Sequence, residues 1–130
     1  VIDLDTNVMT LANGGHMSPI IRKPDGTLEE FPDDLIGIPI GVMEDFVFEE
    51  CTVQLEPGDR LLIYTDGTFE AIDADDQELG QKRLLDALDE LYALPPADSL
   101  EEMVRRIEVW CHGDKPKDDI TLLAIHVSDA

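Results

Sequence analysis

The sequence predicts an α+β domain whose strands pair mostly antiparallel, and two observations carry that expectation. Up to residue 64 and again after residue 119, short runs of alternating or β-branched residues are separated by turns rich in Gly, Pro, Asn and Asp, which gives about eight strands. Between residues 80 and 111 the apolar spacing changes to the helical period and gives two substantial helices.

Residues 1–5 and 8–12 flank Asp5-Thr6-Asn7 and read as a hairpin. The loop Asn13-Gly14-Gly15-His16-Met17-Ser18-Pro19 follows; its glycines permit close backbone approach, and His16 either faces a ligand or is held by hydrogen bonds within the loop. Residues 20–22 and 28–31 flank Lys23-Pro24-Asp25-Gly26-Thr27, whose Pro-Asp-Gly centre predicts a second hairpin. Within residues 35–42, Pro39 argues for an edge or a loop crossing. Residues 46–55 place Cys51, Val53 and Leu55 on one face and Glu50, Thr52 and Gln54 on the other, as a half-buried antiparallel strand does.

Pro57-Gly58 suits the centre of a type II turn, because proline pre-sets φ and glycine accepts positive φ. Leu61, Leu62, Ile63 and Tyr64 are a nearly continuous apolar run, which predicts a strand covered on both faces. It stops at Thr65-Asp66-Gly67, and residues 68–72 read as a short helical turn. The acidic stretch 73–78 does not match a calcium loop, because Glu78 stands where Gly is required and Leu84 where a bidentate Glu belongs; it reads as a solvated loop.

The first helix is expected around residues 80–94, with Leu84, Leu85, Leu88, Leu91 and Tyr92 on one face and Pro95-Pro96 ending it. The second is expected to open with Ser99 as N-cap and Glu102 completing a capping box. It carries Leu100, Met103, Val104, Ile107 and Cys111 as its stripe and Gly113 at C′. Trp110, near that stripe, is expected in the core. In the loop 113–117, Lys115 or Lys117 could meet a phosphate, although loop lysines commonly serve only solubility.

Length and composition set the bounds. At 130 residues the chain is one domain, 1–130. Nine basic against thirty acidic residues give a net charge of −21, which repels phosphate backbones and anionic lipid, so neither nucleic acid nor a membrane surface is expected as a partner. The acidity suits solubility at high salt or a basic protein partner, and its scatter along the chain favours the first. Cys51 and Cys111 have neither metal-site nor disulfide-scaffold spacing and read as buried thiols in a reducing cytoplasm. No run is long enough to span a membrane, and no signal peptide is expected. The chain opens inside a strand pattern without Met, as a segment of a longer polypeptide would.

Asp66 stands at the C-terminal end of one expected strand, a rigid and solvent-open position suited to a metal ligand or a general base; an isolated Asp-Gly is more often an ordinary turn. Asp118-Asp119 precede the run Leu122-Leu123-Ala124-Ile125-His126-Val127. If these two strands pair antiparallel, Asp66 and Asp118 converge, and converging carboxylates repel unless a cation joins them.

Taken together and in order, four motifs resemble the C-terminal part of a bacterial metal-dependent protein phosphatase of the SpoIIE and RsbU type, in the protein phosphatase 2C-like (PPM) superfamily. Leu11-Ala12-Asn13-Gly14-Gly15-His16 is similar to its A-N-A-G-H loop, and Gly37-Ile38-Pro39-Ile40-Gly41-Val42 to its G-x-P-L-G-V. Pro57-Gly58-Asp59 with residues 61–71 resembles P-G-D-x-L-L-L-Y-T-D-G-x-x-E-A, and Asp118-Asp119-Ile120-Thr121 resembles D-D-I/M-T.

The resemblance implies a sandwich of two antiparallel sheets with flanking helices and a pair of Mn2+ or Mg2+ ions at one end, activating water for attack on phosphoserine or phosphothreonine. Metal positions implied are Asp66, Gly67, Asp118 and Asp119, with Asp66 and Asp118 as the catalytic ligands and Asp119 behind them. It implies a cytoplasmic enzyme acting on a phosphorylated regulatory protein such as an anti-sigma-factor antagonist, within sigma-factor and stress-response signalling. The family's G-D-x-S-G-H-G motif, which bridges the two metals, and two covering helices are not among these residues. The chain alone is therefore expected to bind metal poorly, to show little activity, and to self-associate through an uncovered sheet face. The alternative is a catalytically silent phosphatase-like module that binds protein partners through its acidic surface.

Overall fold

The computed structural model describes residues 1–32, 35–114 and 116–128. Among the described residues, seven strands form two sheets with every pairing antiparallel. A three-stranded sheet has the order β1 (Ile2–Asp3), β2 (Val8–Ala12), β5 (Glu50–Gln54). A four-stranded sheet has the order β4 (Leu28–Glu30), β3 (Ile20–Arg22), β6 (Arg60–Tyr64), β7 (Leu122–His126). Helices α1 (Gln81–Glu90) and α2 (Pro96–Trp110) complete the fold.

The continuous apolar run in β6 is explained by what covers it. Leu62 and Tyr64 point toward the helices and pack with Ile20, Leu84, Ala87, Leu88 and Met103. Leu61 and Ile63 point the other way and meet Met9, Leu55, Cys51 and Val53 from the facing sheet. Side chains that alternate along one strand thus serve two cores, and the layers stack as sheet, sheet, helices. The mixed antiparallel architecture with two helices is the one the sequence predicts.

Several local expectations change in the fold. The strand expected over residues 46–55 is regular only over Glu50–Gln54; Phe46 and Phe48 instead pack edge to face at 4.9 Å. The alternation of Cys51, Val53 and Leu55 inward holds, although Cys51 is only half buried. Helix α1 ends at Glu90 rather than near residue 94. The turn that follows is held by the buried guanidinium of Arg60, which donates to the carbonyl oxygens of Leu91 (3.4 Å) and Leu94 (2.9 Å).

Helix α2 then starts at Pro96, with Pro95 as its cap and no capping side chain. Proline at the first helical position lacks only an N–H that would be unpaired there, and its φ is already helical. Ser99, expected as the cap, is buried inside the helix, where its N–H donates to the Pro95 carbonyl at 2.9 Å. At the other end Cys111 is the cap, so His112 (φ 53°) takes the position expected for Gly113. Val104, expected in the stripe, is 38% exposed.

The outward face of the three-stranded sheet carries Val8, Thr10 and Ala12 opposite Gln54, Thr52 and Glu50. Val8 and Thr10 are half buried there, and Ala12, Glu50, Thr52 and Gln54 are exposed. The most exposed large apolar side chains of the inter-strand segment before β5 are Ile40, Val42, Met43 and Val47.

Candidate metal centre

The β6–β7 ladder runs Arg60 opposite His126 to Tyr64 opposite Leu122. Its register places the residues just after Tyr64 beside those just before Leu122, which is the convergence the antiparallel reading requires. Thr65 fastens the junction. Its N–H donates to the Thr121 carbonyl at 3.1 Å, its hydroxyl donates to the Asp119 carbonyl at 3.0 Å, and the same hydroxyl accepts the Thr121 N–H at 3.0 Å.

Asp66 opens a single 3-10 turn, Asp66–Thr68, two residues earlier than the helical turn expected from the sequence. The Asp66 carbonyl accepts the N–H groups of Phe69 and Glu70, each at 3.0 Å, so the backbone beneath the carboxylate is held rigidly. Gly67 lies directly against the other motif: a Cβ on it would stand 2.6 Å from the Asp119 carbonyl oxygen and 3.3 Å from the Asp118 carbonyl carbon. Only a residue without a side chain permits that approach.

The two acidic residues are built alike. Asp66 Oδ1 accepts the Gly67 N–H at 3.0 Å, and Asp118 Oδ1 accepts the Asp119 N–H at 2.7 Å. In each, one oxygen is engaged by the following amide, and the other has no hydrogen-bond partner among the described residues. Asp66, Asp118 and Asp119 are all exposed. Carboxylate oxygens on fixed backbone, with a glycine able to offer only its carbonyl, are the oxygen donors that hard divalent cations prefer. Among the described residues, no three His, Cys, Asp or Glu side chains come together as a set that could hold a metal ion. The chain's donors therefore fit part of such a centre.

The two glycine-rich motifs, read separately in the sequence, form one unit. The Gly37 N–H donates to the Asn13 carbonyl at 2.9 Å, and a Cβ on Gly15 would stand 2.9 Å from the Pro39 nitrogen. His16 is exposed and held within its loop: its N–H donates to Asn13 Oδ1 at 2.8 Å, and Asn13 Nδ2 donates to the His16 carbonyl at 2.9 Å. The acidic stretch 73–78 is a solvated turn in which Asp73 Oδ1 accepts the N–H groups of Asp75 and Gln77. Lys117 reaches Asp76 at 4.0 Å, whereas Lys115 lies outside the described residues. Trp110 is half buried and donates to the carbonyls of Ala71 (3.1 Å) and Gln77 (3.2 Å). Thr65 is the residue that sequence reasoning missed. Its only local signal is a hydroxyl at the last position before the carboxylate.

The profile of the family described as Stage II sporulation protein E (SpoIIE) matches residues 1–128. Protein IcfG from Synechocystis sp. (strain ATCC 27184 / PCC 6803 / Kazusa) is 25% identical over 126 residues, which cover 97% of this chain and 19% of that protein. The PP2C phosphatase domain of SpoIIE from Bacillus subtilis, solved with a fragment of its regulatory domain, superposes with a TM-score of 0.79 at 21% identity, covering 98% of this chain and 36% of that one. The Mn-presoaked SpoIIE phosphatase domain of the same organism gives a TM-score of 0.73 at 17% identity, covering 100% and 55%. The fold is thus that of PP2C-type phosphatase domains. The chain spans only about a fifth to about half of the length of these relatives.

Proposed function

Because the chain belongs to the SpoIIE family, we propose that it is the C-terminal portion, residues 1–130, of a cytoplasmic metal-dependent phosphatase domain that hydrolyses phosphoserine or phosphothreonine. One observation carries the reading: the Gly67 backbone packs on Asp118-Asp119, so two carboxylate motifs share one end of the β6–β7 ladder.

In this proposal Asp66 and Asp118 are the ligands, Gly67 supplies a backbone carbonyl, and Asp119 stands behind them. When bound, Mn2+ or Mg2+ would neutralise phosphoryl charge and lower the pKa of water. Thr65 holds the Asp119 carbonyl and so orients the segment that carries Asp118. The 3-10 turn fixes the Asp66 backbone, so its free oxygen is presented without a search over conformers. No covalent intermediate on the chain is required, consistent with the lack of a Ser or Cys nucleophile motif.

The substrate in this reading is a phosphorylated regulatory protein, such as an anti-sigma-factor antagonist, in a sigma-factor or stress-response circuit. A net charge of −21 disfavours nucleic acid and anionic membrane as partners, and no described helix is long and apolar enough to cross a membrane. The G-D-x-S-G-H-G acid is not among the 130 residues, so the chain alone binds metal weakly and turns over little substrate. Self-association through the uncovered sheet face belongs to the same proposal, and Ile40, Val42, Met43 and Val47 are further exposed apolar surface.

Amide NMR with Mn2+ tests the site. Paramagnetic broadening is expected at Gly67, Asp119 and Ile120 together, and to vanish in both Asp66→Asn and Asp118→Asn. Broadening elsewhere, or survival in either variant, overturns the shared site. Turnover of p-nitrophenyl phosphate well above background by these residues alone overturns the inactivity. The second reading is a silent phosphatase-like module that binds partners through its acidic surface, and a G-D-x-S-G-H-G motif in the parent polypeptide would count against it.

A further inference from the structure

Between α1 and α2 lies a cavity of about 280 Å³ whose floor is Leu79, Leu84, Ala87, Met103 and Ile107, all buried, with the Trp110 ring as one wall. Asp66, Asp118 and Asp119 do not line it, and Leu84, Ala87 and Met103 place it on the helical side of the four-stranded sheet. Unfilled apolar space of this kind forgoes packing energy, so an apolar body that fits it is bound favourably.

Four charged residues stand at its mouth: Arg83, Asp86, Glu90 and Arg106. Three of them are spoken for. Asp86 is paired with Lys82 at 2.6 Å, and Glu90 with Arg106 at 2.7 Å, while Arg106 also reaches Glu102 at 3.4 Å. Arg83 is different. Among the described residues it has no carboxylate within salt-bridge distance, in a chain with thirty acidic residues.

The Arg83 guanidinium is nonetheless positioned. It lies over the Trp110 ring at 4.4 Å, and its Nη1 donates to the Leu79 carbonyl at 2.7 Å. The ring itself is anchored by its N–H on the carbonyls of Ala71 and Gln77. A guanidinium has five N–H donors, so most remain for a ligand. Among the described residues, the one charged group at the rim of this apolar cavity without an ion-pair partner is therefore an oriented cation.

We propose that this cleft is a binding site for a small amphipathic carboxylate, its apolar body in the cavity and its carboxylate on Arg83. The site is independent of the phosphatase reading and stands or falls without it.

Octanoate is the probe, and Trp110, the only tryptophan, reports on it by fluorescence. Titration of the 130-residue chain is expected to give a saturable change in emission. Octanol, with the same chain length and no charge, is expected to bind about tenfold or more weakly, the loss that one charge-assisted hydrogen bond carries. Arg83→Met keeps an apolar arm over the ring and is expected to weaken octanoate by a similar factor while leaving octanol unchanged. Ala87→Leu fills the cavity and is expected to abolish both responses, with the thermal melt confirming that it remains folded. No saturable change, equal affinity for octanoate and octanol, or an Arg83→Met variant that binds octanoate as well as the parent chain would overturn the proposal.

Discussion

Gly67 and Asp119 are in backbone contact: the Asp119 carbonyl oxygen lies 2.6 Å from where a Cβ on Gly67 would be. The turn after β6 and the segment before β7 therefore pack backbone against backbone. A Gly67→Ala substitution must push them apart, because the obstructing atom is backbone and cannot rotate away. Overpacking of this kind costs about 1–3 kcal/mol. Urea unfolding is expected to show that loss as a lower midpoint, and Mn2+ broadening at Asp119 is expected to disappear even though no carboxylate has been removed.

Thr65→Val keeps the shape of the side chain and removes a hydroxyl that serves Asp119 as donor and Thr121 as acceptor. The orphaned Asp119 carbonyl and Thr121 N–H cost about 1–3 kcal/mol together, less where solvent reaches them. Hydrogen exchange is expected to accelerate at Thr121 and remain unchanged in the β3–β4 hairpin.

Asp59 is fully buried; its Oδ2 accepts from Lys23 Nζ at 2.8 Å and from the Glu56 N–H at 2.9 Å. Lys23→Met leaves that carboxylate without its cation, which costs about 3–5 kcal/mol. Adding Asp59→Asn is expected to recover part of the loss, because a neutral amide is cheaper to bury than an unpaired charge. A double variant no more stable than Lys23→Met would contradict this account.

Glu102 accepts from Arg105 at 2.6 Å and from Arg106 at 3.4 Å. Chiefly through the Arg105 hydrogen bond, its carboxyl is pulled down from 4.5 to about 2. A carboxyl lowered in the folded state stabilises it above the unfolded value, and that stabilisation is lost as pH falls through the folded one. Glu102→Gln is therefore expected to lower the Tm at pH 7, with the gap closing as pH drops from about 4.5 to about 2. The pair is exposed, so added salt is expected to shrink the gap. A gap that is unchanged at pH 2 would assign the effect to packing.

Much of this was legible from local pattern. An unbroken apolar run in residues 61–64 required cover on both faces, and both faces are covered. The alternation through Cys51, Val53 and Leu55 identified the inward side of β5 before any partner was known. The stripe of α1 was readable too, because a helix meeting one surface must repeat its apolar residues at helical spacing.

Where local signals competed, pattern alone chose wrongly. Ser99 with Glu102 is a good capping box, yet Ser99 is buried and Glu102 pairs with Arg105, because Pro96 begins the helix earlier. Helix α1 stops at Glu90, and the carbonyls that follow are met by Arg60, thirty-one residues before Leu91. Residues 46–49 have the alternation of a strand but no partner strand to supply the ladder among the described residues.

By itself the sequence determined the α+β class, the inward faces of its elements and the two acidic motifs, since side-chain direction follows from backbone period alone. Only the tertiary structure decided that Thr65 reaches Asp119, fifty-four residues away, and that Gly67 is the contact which allows it. Such contacts depend on sheet register and on the absence of one side chain, and no period in the chain encodes either.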